Sequence, residues 1–165
     1  MPLESEDRQR LTVAEGYAEL GMYLDAQEEL GKIEPDVRHV PEVLAIRLLI
    51  CNGLKMWELM QTVAARLNGH DPGEVQWWVS LAFATRRVES IEAAKAVLLR
   101  AIALHSDEAI LHYNLACYEC QLANLNVAKE RLRVAFKLDP RFRLAARDDD
   151  DLAPLWDSLG GEEAA

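Results

Sequence analysis

Very little in this sequence could perform covalent or metal chemistry. There are three cysteines in 165 residues, so they cannot all pair within the chain. The first ten residues, MPLESEDRQR, lack the apolar core of a secretory signal. Both features predict a reducing, cytoplasmic setting. No apolar run reaches the roughly 18 residues of a membrane span, so no membrane association is expected. Basic residues are outnumbered 18 to 28, and a net charge of −10 sets the chain against the phosphate backbone of a nucleic acid. Also missing are a Gly-x-Ser-x-Gly elbow, a phosphate loop, a dinucleotide fingerprint and a zinc-hydrolase helix. No catalytic residue, cofactor or metal is therefore expected, and the chain reads as a non-enzyme. Strand-type alternation is scarce, helix formers dominate, and half of the residues are hydrophobic, which is ample for one continuous core.

What the sequence does have is a repeat. From Ala109 to Pro140, AILHYNLACYECQLANLNVAKERLRVAFKLDP, two helical patterns flank a break at Leu122-Ala123-Asn124. Ala128, Leu132 and Ala135 share one helical stripe, and Asp139-Pro140 stops the second helix. Ala116 and Ala128 lie on facing sides of this hairpin and let the axes approach closely. Stepping back by about 34 residues from Ala116 reaches Ala82, Leu48 and Ala14; from Ala128 the same step reaches Ala94, Met60 and Ala26. Leu132 steps to Leu98, Ala64 and Leu30. An apolar pattern that survives a fixed period over four copies marks a repeat protein.

On these residues the chain resembles the tetratricopeptide repeat (TPR) family. The likeness is carried by Ala14, Tyr17, Gly21, Tyr23, Ala26 and Leu30 in the first copy. Trp78, Leu81, Ala82, Ala94, Leu98 and Ala101 carry it in the third, and Asn114, Leu115, Ala116, Ala128, Leu132, Ala135 and Pro140 in the fourth. The second copy departs: Arg47 stands where a core leucine is usual, and Leu48 and Met60 replace the small pair. Copies at 7–40, 41–74, 75–108 and 109–142 follow a lead-in (1–6) and precede a C-terminal capping helix and tail (143–165). The resemblance implies an all-α, right-handed α-solenoid of four helix-turn-helix repeats closed by that capping helix.

It also implies a function, since in this family the first helices of the pairs line a concave face that binds peptides. The matching positions include Leu49, Gln76, Val79, Phe83, Arg86, Arg87, Ile110, Tyr113, Cys117 and Gln121. They predict an apolar strip edged by Arg86 and Arg87, and hence a protein or peptide partner offering an apolar segment, with an acidic residue to meet the arginines. Lysine is missing from the clamp positions that some relatives use for a chaperone's terminal carboxylate, which disfavours that class of partner. The chain is expected to be a monomer or weak homodimer, with the strip open or covered by its own tail or a second copy. One alternative is a bacterial-type secretion chaperone or self-associating adaptor. Another, of a different class, is a thiol or metal protein using Cys117 and Cys120, a Cys-x-x-Cys pair with His112 nearby. The plainer reading of that pair is two small residues on a packed helix. Asp148 to Asp151 lacks the spaced ligands of an EF-hand loop, so Asp151 is expected to cap a last helix, about Leu152 to Leu159, with Gly160 to Ala165 frayed.

Overall fold

A computed structural model describes residues 3–161. Among the described residues there are helices and no strand. α1 (Ser5–Glu19) and α2 (Tyr23–Gly31) form the first pair, and a 3-10 turn at Pro35–Val37 leads to α3 (Pro41–Gly53) and α4 (Trp57–His70). α5 (Val75–Val88) precedes α6 (Ile91–Leu104), and α7 (Ala109–Gln121) pairs with α8 (Leu125–Leu138). A short α9 (Phe142–Arg147), a 3-10 segment at Asp150–Leu155 and α10 (Trp156–Gly161) follow. This is an all-α helical-repeat fold of the α-solenoid class. The chain divides into two compact units, Met1–Ser80 and Leu81–Ala165, the division falling inside α5.

The period recurs in the backbone as well as in the side chains. At the end of α1, Gly21 takes a left-handed φ of 74°, at the end of α3 Lys55 takes 57°, and at the end of α7 Ala123 takes 61°. Each is flanked by the same two hydrogen bonds. Met22 N–H donates to Tyr17 O, Met56 N–H to Cys51 O and Asn124 N–H to Glu119 O, at 2.8, 2.8 and 2.9 Å. The left-handed residue itself donates to Ala18, Asn52 or Cys120. These are Schellman motifs, in which a left-handed residue returns the chain so that two otherwise orphaned carbonyls are bonded. The turn is thus set by backbone bonding, and the helices that follow start at Met22, Met56 and Asn124 without a side-chain cap. α6 starts differently, with Ser90 Oγ accepting from Ala93 N–H at 3.0 Å.

Packing follows the same frame. Ala14, Ala26, Ala94, Ala116 and Ala128 are fully buried, Ala82 very nearly so, and Leu48 and Met60 are buried in their places. In the first unit Ala14 and Ala26 join Leu30, Ile33, Val37, Val43, Ile46 and Ile50 in one core, with Tyr17 and Tyr23 packed against it. Gly53 ends α3 against the Tyr23 ring, and a Cβ there would come within 2.3 Å of a ring carbon. In the second unit Leu98, Leu111, Leu115, Leu132, Leu152 and Leu155 are the large buried side chains. Trp78 is buried and donates from its indole to Pro72 O at 3.0 Å.

Several termini differ from expectation. α1 begins at Ser5, inside the expected lead-in, and its N-cap is Glu4, with no side-chain bond. Asp7 is buried and accepts from Glu34 N–H at 3.2 Å, closing the loop after α2 onto α1. The C-terminal helix is broken in two, because Asp149 rather than Asp151 is the cap and accepts from Asp151 N–H at 3.0 Å. That bond starts a 3-10 segment containing Pro154, and α10 begins only at Trp156. The fraying expected at the end of the chain falls mostly on residues 162–165, outside the described residues.

Two substitution pairs test this packing. Ala82→Leu and Gly53→Ala should each cost roughly 1–3 kcal/mol through overpacking, measured by urea denaturation. Gly21→Ala should cost about 1 kcal/mol because alanine resists the left-handed region. Ala123→Gly, which relieves the same strain, should be neutral or stabilising in the same assay.

Candidate functional site

The ten expected groove residues fall in both units, and each unit is described by itself. In the first, Leu49 on α3 and Gln76 at the start of α5 are exposed, and Val79 is half-buried. Leu49 is 49% exposed on a helix whose Leu44, Ile46, Leu48 and Ile50 are all buried, so α3 turns one apolar residue outward.

In the second unit four of the predicted residues converge on a single acidic turn. Arg86, from α5, forms an ion pair with the Asp151 carboxylate, and its Nη2 donates to the second carboxylate oxygen at 3.0 Å. Its guanidinium also lies 5.4 Å from the centre of the Tyr118 ring, within cation–π range. Tyr113 Oη donates to Asp149 at 2.8 Å, and Cys117 Sγ lies 3.5 Å from the same carboxylate oxygen. Gln121 donates from its side-chain amide to Asp151 O at 2.9 Å. Tyr113, Cys117 and Gln121 are four residues apart along α7 and so form one stripe; the acidic turn lies along it. Phe142 completes the enclosure, its ring centre 4.8 Å from that of Tyr113.

Tyr113 and Cys117 are therefore buried under the chain's own C-terminal segment. The other three residues lie differently. Phe83 is half-buried with the Arg87 guanidinium over its ring, 3.4 Å from the centre, and Arg87 also donates to Phe83 O at 3.0 Å. Ile110 is half-buried at the start of α7. Sequence reasoning did not find Asp149, Asp151, Tyr118 or Phe142 as members of this cluster. The run of four aspartates was visible, but nothing local ties it to side chains 32 to 65 residues earlier.

The electrostatics favour neutral thiols and phenols. Burial, reinforced by the Asp149 carboxylate, pushes the Cys117 thiol well above its ordinary range, and burial with Asp151 nearby raises Cys120. Burial and the bond to Asp149 likewise raise Tyr113, and burial brings Tyr118 up to about 12. His112 has both ring nitrogens engaged: Nε2 is 2.9 Å from Ser106 O, and Nδ1 is 3.4 Å from Arg131 Nη1. Elsewhere on α7, Glu119 is buried and pairs with Lys95 at 2.8 Å. Among the described residues no group of histidine, cysteine and carboxylate side chains gathers at metal-ligand spacing.

Helix pairs that recur at a fixed period, with small buried residues in three of the four copies, are the marks of a tetratricopeptide-type repeat fold. Several solved structures it is similar to are of MamA, a TPR-repeat protein. The structure titled MamA 41-end, from Desulfovibrio magneticus RS-1, has a TM-score of 0.76 at 14% identity over 98% of this chain and 94% of that one. A MamA RS-1 ArsTM double mutant has 0.73 at 17% over 89% and 80%. A MamA AMB-1 structure has 0.67 at 15% over 98% and 94%. At these identities the likeness is one of fold. No protein-family model and no curated protein matches the sequence.

The raised phenols and thiols set an alkaline limit. Where the unfolded chain ionises a group that the folded chain keeps neutral, the unfolded state binds fewer protons and stability falls as pH rises. For Tyr118 that contribution is fully present below pH 10 and is lost as pH rises through about 12. Tyr118→Phe should therefore lose stability less steeply than wild type over this range in pH-resolved urea titrations. Equal slopes would assign the loss to other groups.

Proposed function

We propose that this chain is a non-catalytic protein-interaction module that takes a short peptide segment, apolar with an acidic residue, against the first helices of its pairs. The observation that supports the reading is the acidic turn just described. The face of α7 and the end of α5 already hold a peptide stretch, Asp149 to Leu152, through an arginine–carboxylate pair, a tyrosine hydroxyl and an amide-to-carbonyl bond. Leu152 is buried beside them. Main-chain and acidic contacts of this kind are what a peptide partner would reuse. A ligand would either displace this turn from Arg86, Tyr113, Cys117 and Gln121 or lie beside it on Phe83, Arg87 and Ile110. In the first unit Leu49, Gln76 and Val79 offer the corresponding surface.

The thiol reading fares less well, because the thiolate is the reactive and ligating form and both thiols on α7 are held toward the neutral form. The partner is accordingly a protein or peptide, and the setting that the cysteines suggest is the cytoplasm. No helix among the described residues is long and apolar enough to cross a membrane.

The test is affinity capture from a native lysate, comparing wild type with Phe83→Asp after confirming equal helicity. A protein held by wild type should bind the variant at least about tenfold more weakly, as expected for an aromatic anchor. Equal retention would remove Phe83 from the binding surface.

A further inference from the structure

The first unit contains a feature that the groove reading leaves unused. In a chain of net charge −10, three arginines line one cavity of about 290 Å³, and among the described residues no carboxylate forms an ion pair with any of them. Arg38 follows the 3-10 turn, and its guanidinium plane is fixed by bonds of 2.7 Å to Ile33 O and Gly31 O, which close the end of α2. Arg66 is exposed on α4, and His39 is exposed beside Arg38. Leu59 and Val63, also on α4, give the cavity an apolar side.

Arg47 is the residue that needs explaining. It comes from the middle of α3, at the position filled by Leu81 and Leu115 in later copies. Its Nε is buried and has no hydrogen-bond partner. Together with Arg38 and Leu59 it also lines an adjoining cavity of about 190 Å³. A buried donor on a charged group with no acceptor is among the costlier features a fold can carry. The guanidinium fork is shaped to meet a planar oxyanion.

We infer that this cavity binds the carboxylate of an acidic peptide segment, the acid meeting Arg47 and Arg66 and a neighbouring apolar side chain lying on Leu59 and Val63. A peptide fits better than a polyphosphate for two reasons. The chain's own charge repels a dense polyanion, and the apolar side would be left without a partner. The second unit shows the same chemistry within the molecule, where Arg86 is met by Asp151. None of the cavity's residues is one of the predicted groove residues, so the inference does not rest on the proposed function.

The probe is a fluorescein-labelled peptide of alternating glutamate and leucine, followed by anisotropy at low salt, with its glutamine–leucine counterpart as control. Wild type should bind the acidic peptide, and more weakly as salt rises. Arg47→Leu, which restores the residue found in other copies and should fold, ought to bind it about tenfold more weakly. Arg66→Ala should lose a similar factor, whereas Arg133→Ala, an exposed change on α8 outside the cavity lining, should bind as wild type does. No binding by wild type, equal binding by Arg47→Leu, or equal binding of the glutamine peptide would overturn the site. Displacement of the peptide by inorganic phosphate at matched concentration would overturn its assignment to a carboxylate.

Discussion

Everything in this fold depends on how closely two helices can approach within a pair. Ala14 with Ala26, Ala82 with Ala94 and Ala116 with Ala128 leave no side chain beyond a methyl at the crossings, and all six are essentially without solvent exposure. Close approach brings the larger residues of each stripe, such as Leu30, Leu98 and Leu132, into full burial. It also demands a short, sharply reversed connection. That demand is met by the left-handed residue after α1, α3 and α7, where two backbone bonds close the helix end and no side chain is needed. Side-chain size and backbone turn recur at the same period without always coinciding: α3 ends in the left-handed turn although Leu48 and Met60 replace the small pair, and α6, which carries Ala94, starts from a Ser90 cap instead.

The second consequence is a set of ordered, outward-facing stripes on the first helices of the pairs. On α7 the stripe is Tyr113, Cys117 and Gln121, and its chemistry is mixed: a phenol, a thiol and an amide over a buried apolar base. Such a stripe suits a peptide, whose carbonyls and acidic side chains can be bonded while its apolar residues are covered. In this chain the Asp149 to Leu152 turn takes that position. Arg86 adds a charge-assisted pair, and burial, reinforced by the Asp149 carboxylate, holds the neighbouring thiol of Cys117 and phenol of Tyr113 toward their neutral forms. The same arrangement that holds the acidic turn holds the Cys117 thiol toward its neutral form.

The period was legible because it is carried by residue size. The alanines that recur in three of the four copies, with leucines at a fixed offset, pointed to a helical repeat fold. Features that rest on backbone bonding left no such mark. Lys55 and Ala123 occupy left-handed turns without being glycine, so only Gly21 could be recognised. Nothing local marks Asp7, whose carboxylate serves Glu34 across 27 residues of sequence. The aspartate run was read through its nearest helix because long-range pairing with Arg86 and Tyr113 has no period to betray it. Arg47 was visible as a departure from the repeat, but its buried Nε and the cavities around it emerge only from the packing of α2, α3 and α4.

The claim at the centre of this account is that the face of α7 is a peptide-binding wall, filled by the chain's own acidic turn. It is tested most directly by supplying that turn in trans. A labelled peptide spanning Arg147 to Leu159 would be titrated into wild type and into an Asp149→Ala, Asp151→Ala variant of equal helicity. The account predicts saturable binding to the variant, with wild type binding at least about tenfold more weakly because its wall is occupied. Binding to neither, or equally to both, would contradict it.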